Sequence, residues 1–245
     1  PVLENNQPYE SYHGYAATDL YKVDPRLGTN ASYKQLVADC HQKGIKVIWD
    51  VVYNHWGNEH HLFKNLPDSN WVHWFPQFTR TSYRAETLMD PYASKADRDI
   101  MTNAWFDKHM PDLNQQDPHL ARYLIQNSLW WVEYAGIDAF RIDTYAYPDQ
   151  TFMKQLDEAM RLEYPDFFLF GETWVQGSPV QAWFTEEDYI LHDNLAIVQC
   201  NIHLIGENGD QVFVNKSFVF KICADERIRI VLHHSSLPFV PESLS

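Results

Sequence analysis

Apolar and polar positions along the chain switch between a helical and an extended rhythm, and the switches mark three units. Residues 30–43, NASYKQLVADCHQK, place Tyr33, Leu36, Val37 and Cys40 on one helical face, with Asn30 as the expected N-cap and Gly44 as the stop. The β-branched run IKVIWDVVY follows at once and reads as a buried strand over 45–51, ending near Asp50. A second helix is expected from Pro118 to Ala135, with Asp117 as N-cap and Pro118 at the first helical position. Its stripe is Ala121, Leu124, Ile125, Ser128, Leu129 and Val132; Gly136 stops it, and the strand 137–142 follows. A third helix runs from Gln150 to Tyr164, capped by Asp149, with Phe152, Leu156 and Met160 four apart. Pro165 ends it before the strand 167–171 in FFLFGE.

Nearly continuous apolar strands separated by helices at roughly 30-residue intervals predict a parallel sheet covered on both faces. Ligands bind such sheets at the carboxyl ends of the strands, and Asp50, Asp143 and Glu172 each fall at or near one. The middle strand raises a question of its own. It ends on Arg141-x-Asp143, and charges are costly to bury unless paired. The pair is either a structural cap or half of an active site. Between Trp56 and Asn114 the rhythm breaks into a Trp-, His-, Pro- and Asn-rich stretch too long for a passive loop, read as a small subdomain leaning over the strand ends. The tail holds strand-like runs, QVFVNKSFVF and IRIVLHH, and no helical rhythm.

Composition narrows the choices. Lys and Arg total 19 against 33 Asp and Glu, a formal charge of −14, which argues against nucleic acid and anionic membranes as partners. Nine Trp and fourteen Tyr suit core packing or platforms for hydroxyl-rich ligands such as sugars. Cys40, Cys200 and Cys223 lack metal-ligand spacing. No apolar run reaches membrane-spanning length. The first residue is not Met and no signal peptide is visible, so the true N-terminus is expected elsewhere, and secreted, periplasmic and cytoplasmic locations all stay open.

Two carboxyls converging from neighbouring strand ends suit glycoside hydrolysis, in which one attacks the anomeric carbon and the other protonates the leaving oxygen. Arg141, two residues from Asp143, points to the same face, and its cation is expected to keep that carboxylate charged.

The motifs also resemble the α-amylase family of glycoside hydrolases, particularly its neopullulanase and cyclomaltodextrinase branch. DVVYNH (50–55), GIDAFRID (136–143) and GETW (171–174) resemble its first three conserved regions, in order. MPDLN (110–114) resembles the signature late in its inserted domain, and YHGYAATDLYKVDPRLGT (12–29) the segment after its second barrel strand. The resemblance covers residues 1 to about 188. It implies an α/β fold, an incomplete (β/α)8 barrel with an inserted domain B. The barrel segments would be 1–56 and 116–189, domain B 57–115, and 190–245 a divergent tail. Asp143 would be the nucleophile, Glu172 the general acid/base, and Arg141 the residue holding the nucleophile. His55 and His13 would meet sugar hydroxyls, Tyr15 would stack on a sugar ring, and Asp50 would organise the first region. Tyr147 and Trp174 join the substrate-binding set, and Tyr145-Ala146-Tyr147 stands where many relatives read Val-Lys-His, so the basic pair is absent and two tyrosines stand in that stretch. Calcium is the one candidate cofactor that the resemblance raises. Asn54 matches a calcium ligand of some members, yet Asn114 stands where calcium-binding relatives tend to carry Asp, which favours an Asn54–Asn114 polar link instead.

Two departures stand out. The chain opens on what resembles the end of the family's second barrel strand, and from about Ile190 the resemblance stops. The fourth region, which supplies a third carboxylate, has no counterpart; LHDN at 191–194 comes too early and lacks the preceding Asn. The expected function is therefore a retaining hydrolase of α-glucans such as maltooligosaccharides, cyclodextrins or pullulan, present as a weakly active or inactive fragment that associates through open sheet edges. A catalytically dead carbohydrate-binding remnant and a glycosyl transferase of the same family are the alternatives.

Overall fold

The computed structural model describes residues 1–8, 13–175, 180, 181 and 184, together with the backbone of three strands between 195 and 236. The chain divides into two compact units, Pro1–Asp188 and Tyr189–Ser245.

In the first unit, β1 (Leu3–Glu4) pairs antiparallel with β2 (Asp19–Val23). The opening residues, expected to finish a barrel strand, are thus paired with β2 rather than with the parallel sheet. Helix α1 (Asn30–Gln42) begins one residue earlier than expected. Thr29 is its cap: its hydroxyl accepts the Ser32 N–H at 3.1 Å, and the Ser32 hydroxyl accepts the Thr29 N–H at 2.8 Å. Asn30 is unavailable for capping because its side chain ties the helix to β2, accepting from Val23 N–H and donating to the Tyr21 carbonyl, each at 2.8 Å. Tyr33 and Val37 face the core, while Leu36 is 54% exposed.

Strand β3 is Ile48–Val52, so Asp50 lies at its centre rather than its end. Residues 45–47 are spent elsewhere. The Ile45 N–H closes the exit turn of α1 on the Cys40 carbonyl, and the Val47 N–H donates to the Asp138 carboxylate at 2.7 Å. The stretch after β3 then contributes α2 (His61–Lys64), a 3-10 turn at Ser69–Trp71, α3 (Glu86–Met89) and α4 (Lys95–Asn103). Helix α5 (Pro118–Ala135) meets its sequence expectation at both ends. Asp117 accepts the N–H groups of His119 and Leu120, and Gly136 takes the left-handed conformation at φ 77° that a side chain would resist. Strand β4 (Ala139–Asp143), α6 (Gln150–Glu163) and β5 (Phe168–Gly171) complete the unit.

Strands β3, β4 and β5 form a parallel sheet in that order. The register sets Asp50 beside Arg141, Val52 beside Asp143 and Arg141 beside Phe170. Neighbours in register share a face, and the side-chain period of two divides each strand between two faces. Trp49, Phe140 and Ile142 lie on one face and are buried; Trp49 packs edge-on to Trp131 of α5 at 4.2 Å and against Tyr33 of α1 at 5.3 Å. The opposite face carries Asp50, Arg141 and Asp143. One apolar face against helices leaves the other free to hold charge, which is why the strands tolerate an Arg and an Asp.

Near the strand ends, residues 112–115 are tied back to the segment after β3. The Leu113 N–H donates to the Asn54 carbonyl at 2.9 Å, Gln115 Nε2 donates to the Tyr53 carbonyl at 2.9 Å, and His55 and Asp112 form an antiparallel bridge. The expected Asn54–Asn114 side-chain link is replaced by these contacts, since the Asn114 amide instead donates to the Asn70 carbonyl at 2.9 Å.

The second unit is an antiparallel meander of β6 (Leu195–Ile205), β7 (Gln211–Ile222) and β8 (Ile228–Ser236), with an irregularity between Val219 and Phe220. The His-Asp pair in LHDN lies outside the described residues. Among the described residues, no helix is long and apolar enough to cross a membrane.

Candidate active site

Three carboxylates meet on one guanidinium. Arg141 Nη1 donates to Asp50 Oδ1 at 2.7 Å and to Asp143 Oδ1 at 2.8 Å, while Nη2 reaches Glu172 Oε1 at 2.7 Å. Asp50 and Asp143 reach the cation because register and periodicity put all three side chains on one face of β3 and β4. Glu172 joins from the residue following β5, where its N–H donates to the Ile142 carbonyl at 2.7 Å. The planar fork therefore bridges Asp143 and Glu172, keeping the two carboxyls within the span of one guanidinium and two hydrogen bonds.

The electrostatics differ from the sequence expectation. Asp143 is 5% exposed, and its carboxyl is pushed up to about 7. Burial is the leading cause, the Arg141 cation opposes it, and the charges of Glu172 and Asp50 reinforce it. One cation cannot neutralise three carboxylates, so Arg141 orients Asp143 without by itself holding it ionised. Burial also works against the charge on Arg141, and the hydrogen bond and charge of Asp50, with the charges of Glu172 and Asp143, outweigh it and hold the guanidinium above its ordinary value.

The ring of Tyr15 stacks on His13 with centroids 5.6 Å apart, and its hydroxyl donates to Asp50 Oδ2 at 3.2 Å. Burial, followed by the Asp50 charge, raises the phenol to about 12. His55 is 3% exposed and stacks on Phe106 at 5.0 Å. Burial, then the nearby His13, pushes its imidazole down to about 3, so it is neutral at physiological pH and can both donate and accept. Tyr147 packs edge-on to Phe106 at 4.8 Å and to Tyr83 at 6.3 Å. Tyr145 is also buried, and Trp174 is 87% exposed.

Sequence reasoning missed three of these features. Phe106 lies in an insert without periodicity, so nothing singled it out. Asp50 is legible in the sequence as a carboxylate, but its contact with Arg141 depends on sheet register. Tyr15–Asp50 joins positions that only the tertiary fold brings together.

Asn54 was the candidate calcium ligand, and its Oδ1 is buried without a hydrogen-bond partner. The residues around it do not fit that ion, which takes 6–8 oxygens. The Asp112 carboxylate is occupied by His73 Nδ1 at 2.7 Å, the Asn114 amide is turned to Asn70, and no group of three or more His, Cys, Asp or Glu side chains that could hold a metal occurs among the described residues.

Asp112 carries a prediction. It is 1% exposed, and burial raises its carboxyl to about 7 against the hydrogen bond and charge of His73 and a hydrogen bond from Asn54. A carboxyl raised on folding supports stability fully below its unfolded value, and that support is lost as pH rises through about 7. Asp112→Asn removes this dependence. From pH 5 to pH 8 the variant should gain on the order of 2 kcal/mol relative to the parent chain in urea unfolding. An unchanged gap between the two pH values would show that Asp112 does not titrate this way.

A parallel α/β sheet that brings Asp143 and Glu172 together at the ends of neighbouring strands is the arrangement expected of a (β/α)8 hydrolase. Residues 1–204 match the model of the α-amylase catalytic domain, and the chain belongs to the α-amylase family of glycoside hydrolases. It is 32% identical over 174 residues to a cyclomaltodextrinase of Thermoanaerobacter pseudethanolicus (strain ATCC 33223 / 39E), covering 69% of this chain and 28% of the relative. It is 28% identical over 183 residues to an intracellular maltogenic amylase of Bacillus subtilis (strain 168), covering 73% of this chain and 28% of the relative. Among solved structures, an α-amylase from Geobacillus thermoleovorans in complex with acarbose superimposes with a TM-score of 0.63 at 30% identity, covering 76% of this chain and 38% of that one. The chain thus spans little more than a quarter of these two curated relatives. A second model, of metal-independent carbonic anhydrase, matches residues 174–237.

Proposed function

We propose that the chain carries the nucleophile and acid/base of a retaining α-glucan hydrolase, with maltooligosaccharides, cyclodextrins or pullulan-type glucans as substrates. The bridging of Asp143 and Glu172 by Arg141 is the observation that carries this reading. Substrate class follows the relatives, which are cyclomaltodextrinases, a maltogenic amylase and a neopullulanase.

The Asp143 carboxylate attacks the anomeric carbon while Glu172 gives its proton to the departing glycosidic oxygen. The electron pair of the broken bond leaves with that oxygen, and a glycosyl ester on Asp143 results. Glu172, now a carboxylate, takes a proton from water, whose oxygen displaces Asp143 and regenerates both groups. Two inversions give net retention. Tyr15, His13, His55, Tyr147 and Trp174 form the sugar-binding set. Residues 57–115 act as the inserted domain B forming one wall of the cleft. Residues 190–245 are read as a divergent tail, a reading supported by their lying within the separate compact unit Tyr189–Ser245.

No counterpart of the family's fourth motif stands in the sequence, so turnover by the 245-residue chain is expected to be weak. The test is proton NMR of the first product from maltotriose. The α-anomer should appear first and mutarotate later. The β-anomer first would exclude retention. Sugar binding without any turnover, surviving Asp143→Ala and Glu172→Gln, would identify a carbohydrate-binding remnant.

A further inference from the structure

Residue 144, immediately after Asp143, takes the left-handed conformation at φ 49°. For a β-branched residue this is an outlier, kept only where the surroundings over-determine it. Its hydroxyl is buried without a hydrogen-bond partner, so side-chain bonding does not explain the conformation. The backbone does. The Thr144 N–H donates to Glu172 Oε2 at 3.2 Å, and the next N–H, of Tyr145, donates to the Glu172 carbonyl at 3.0 Å. The first N–H thus meets the carboxylate itself, while the second anchors the Glu172 backbone and holds the first in place.

The contact is reinforced from the other strand. A Cβ on Gly171 would lie 2.3 Å from Cγ of Tyr145, so the absence of a side chain at 171 lets the Tyr145 ring settle against β5. The Tyr147 N–H donates to the Thr144 carbonyl at 3.0 Å and closes the turn. The Glu172 carboxylate is therefore held from two sides, by Arg141 at Oε1 and by the Thr144 N–H at Oε2.

We infer that Thr144 is a positioning residue, whose left-handed backbone aims an N–H at Glu172 and fixes the acid/base relative to the nucleophile beside it. The inference rests on the proposed function for its consequence, while the contact itself stands independently of turnover.

Two substrates separate positioning from mere folding. A maltooligosaccharide needs a proton on its leaving oxygen, whereas α-maltosyl fluoride expels fluoride without one. Thr144→Pro removes the N–H and cannot adopt positive φ. It should lower kcat on the oligosaccharide by about 10²-fold, the scale of general acid catalysis, with a much smaller change on the fluoride. Thr144→Gly keeps the N–H and takes positive φ without strain, and should recover most of the loss seen with proline. Equal losses on both substrates in a folded proline variant, or no recovery with glycine, would overturn the inference. Because a proline variant can fail to fold, a second measurement uses the unmodified chain labelled with ¹⁵N-threonine. The Thr144 amide proton should resonate downfield and move upfield in Glu172→Gln; an amide that ignores Glu172 also overturns the inference. If the parent chain turns over neither substrate, the functional reading fails, and the amide resonance alone decides the positioning contact.

Discussion

Glu172→Gln is expected to slow cleavage of an unactivated maltooligosaccharide by about 10²–10⁴-fold while leaving α-maltosyl fluoride nearly unaffected in its first step. The amide cannot give a proton to a departing sugar oxygen, but fluoride requires none. Asp143→Asn should behave differently and lose both substrates by on the order of 10⁴-fold or more, because the atom that forms the covalent bond has lost its charge. The contrast is informative because both side chains contact the same guanidinium. If they served only as counter-ions to Arg141, the two substitutions would affect both substrates alike. Equal losses in both variants would remove the assignment of acid and nucleophile, even with the fold intact.

Arg141→Leu should be the most destabilising single change at the site, at about 3–5 kcal/mol near neutral pH. The side chain is 22% exposed and is the ion-pair partner of Asp50, Asp143 and Glu172. Leucine leaves those carboxylates crowded together with their shared cation gone. The pH dependence follows from Asp143. Its carboxyl already lies above the unfolded value because of burial, and removing Arg141 takes away the influence that lowers it most. Below the unfolded value near ~4 the group is protonated in both states and costs little. As pH rises above that range, the folded variant must ionise the group without its cation or hold its proton at increasing cost. The deficit of Arg141→Leu should therefore be larger at pH 7.5 than at pH 5 in urea unfolding. A deficit equal at both pH values would mean that Arg141 acts through its packed stem rather than its charge.

Much of the fold was legible because local chemistry and tertiary packing agree. Asp117, Pro118 and Gly136 set both ends of α5 through backbone geometry that needs no distant partner. The continuous apolar strands announced a parallel sheet, and three such strands are observed. Where sequence and structure differ, a distant group had already claimed the residue. Asn30 could not cap α1 because β2 uses both ends of its amide, and β3 starts late because Cys40 and Asp138 take the N–H groups before it. The Asn54–Asn114 link gave way to backbone hydrogen bonds for the same reason.

By itself, then, the sequence determined where along its strands the chain carries its acidic groups. An arginine and an aspartate two apart at the end of an apolar strand, with a glutamate closing the next, place acidic groups where a parallel sheet opens to its ligand. Periodicity is enough to say so, because it fixes faces. Only the tertiary structure decided how those groups act on one another. Register brought Asp50 to Arg141, which made the ion pair a four-member cluster, and burial raised Asp143 against the cation expected to lower it. The left-handed turn at Thr144 belongs to the same class. Distances across strands, desolvation and backbone dihedrals depend on the whole fold, and no local pattern of residues encodes them.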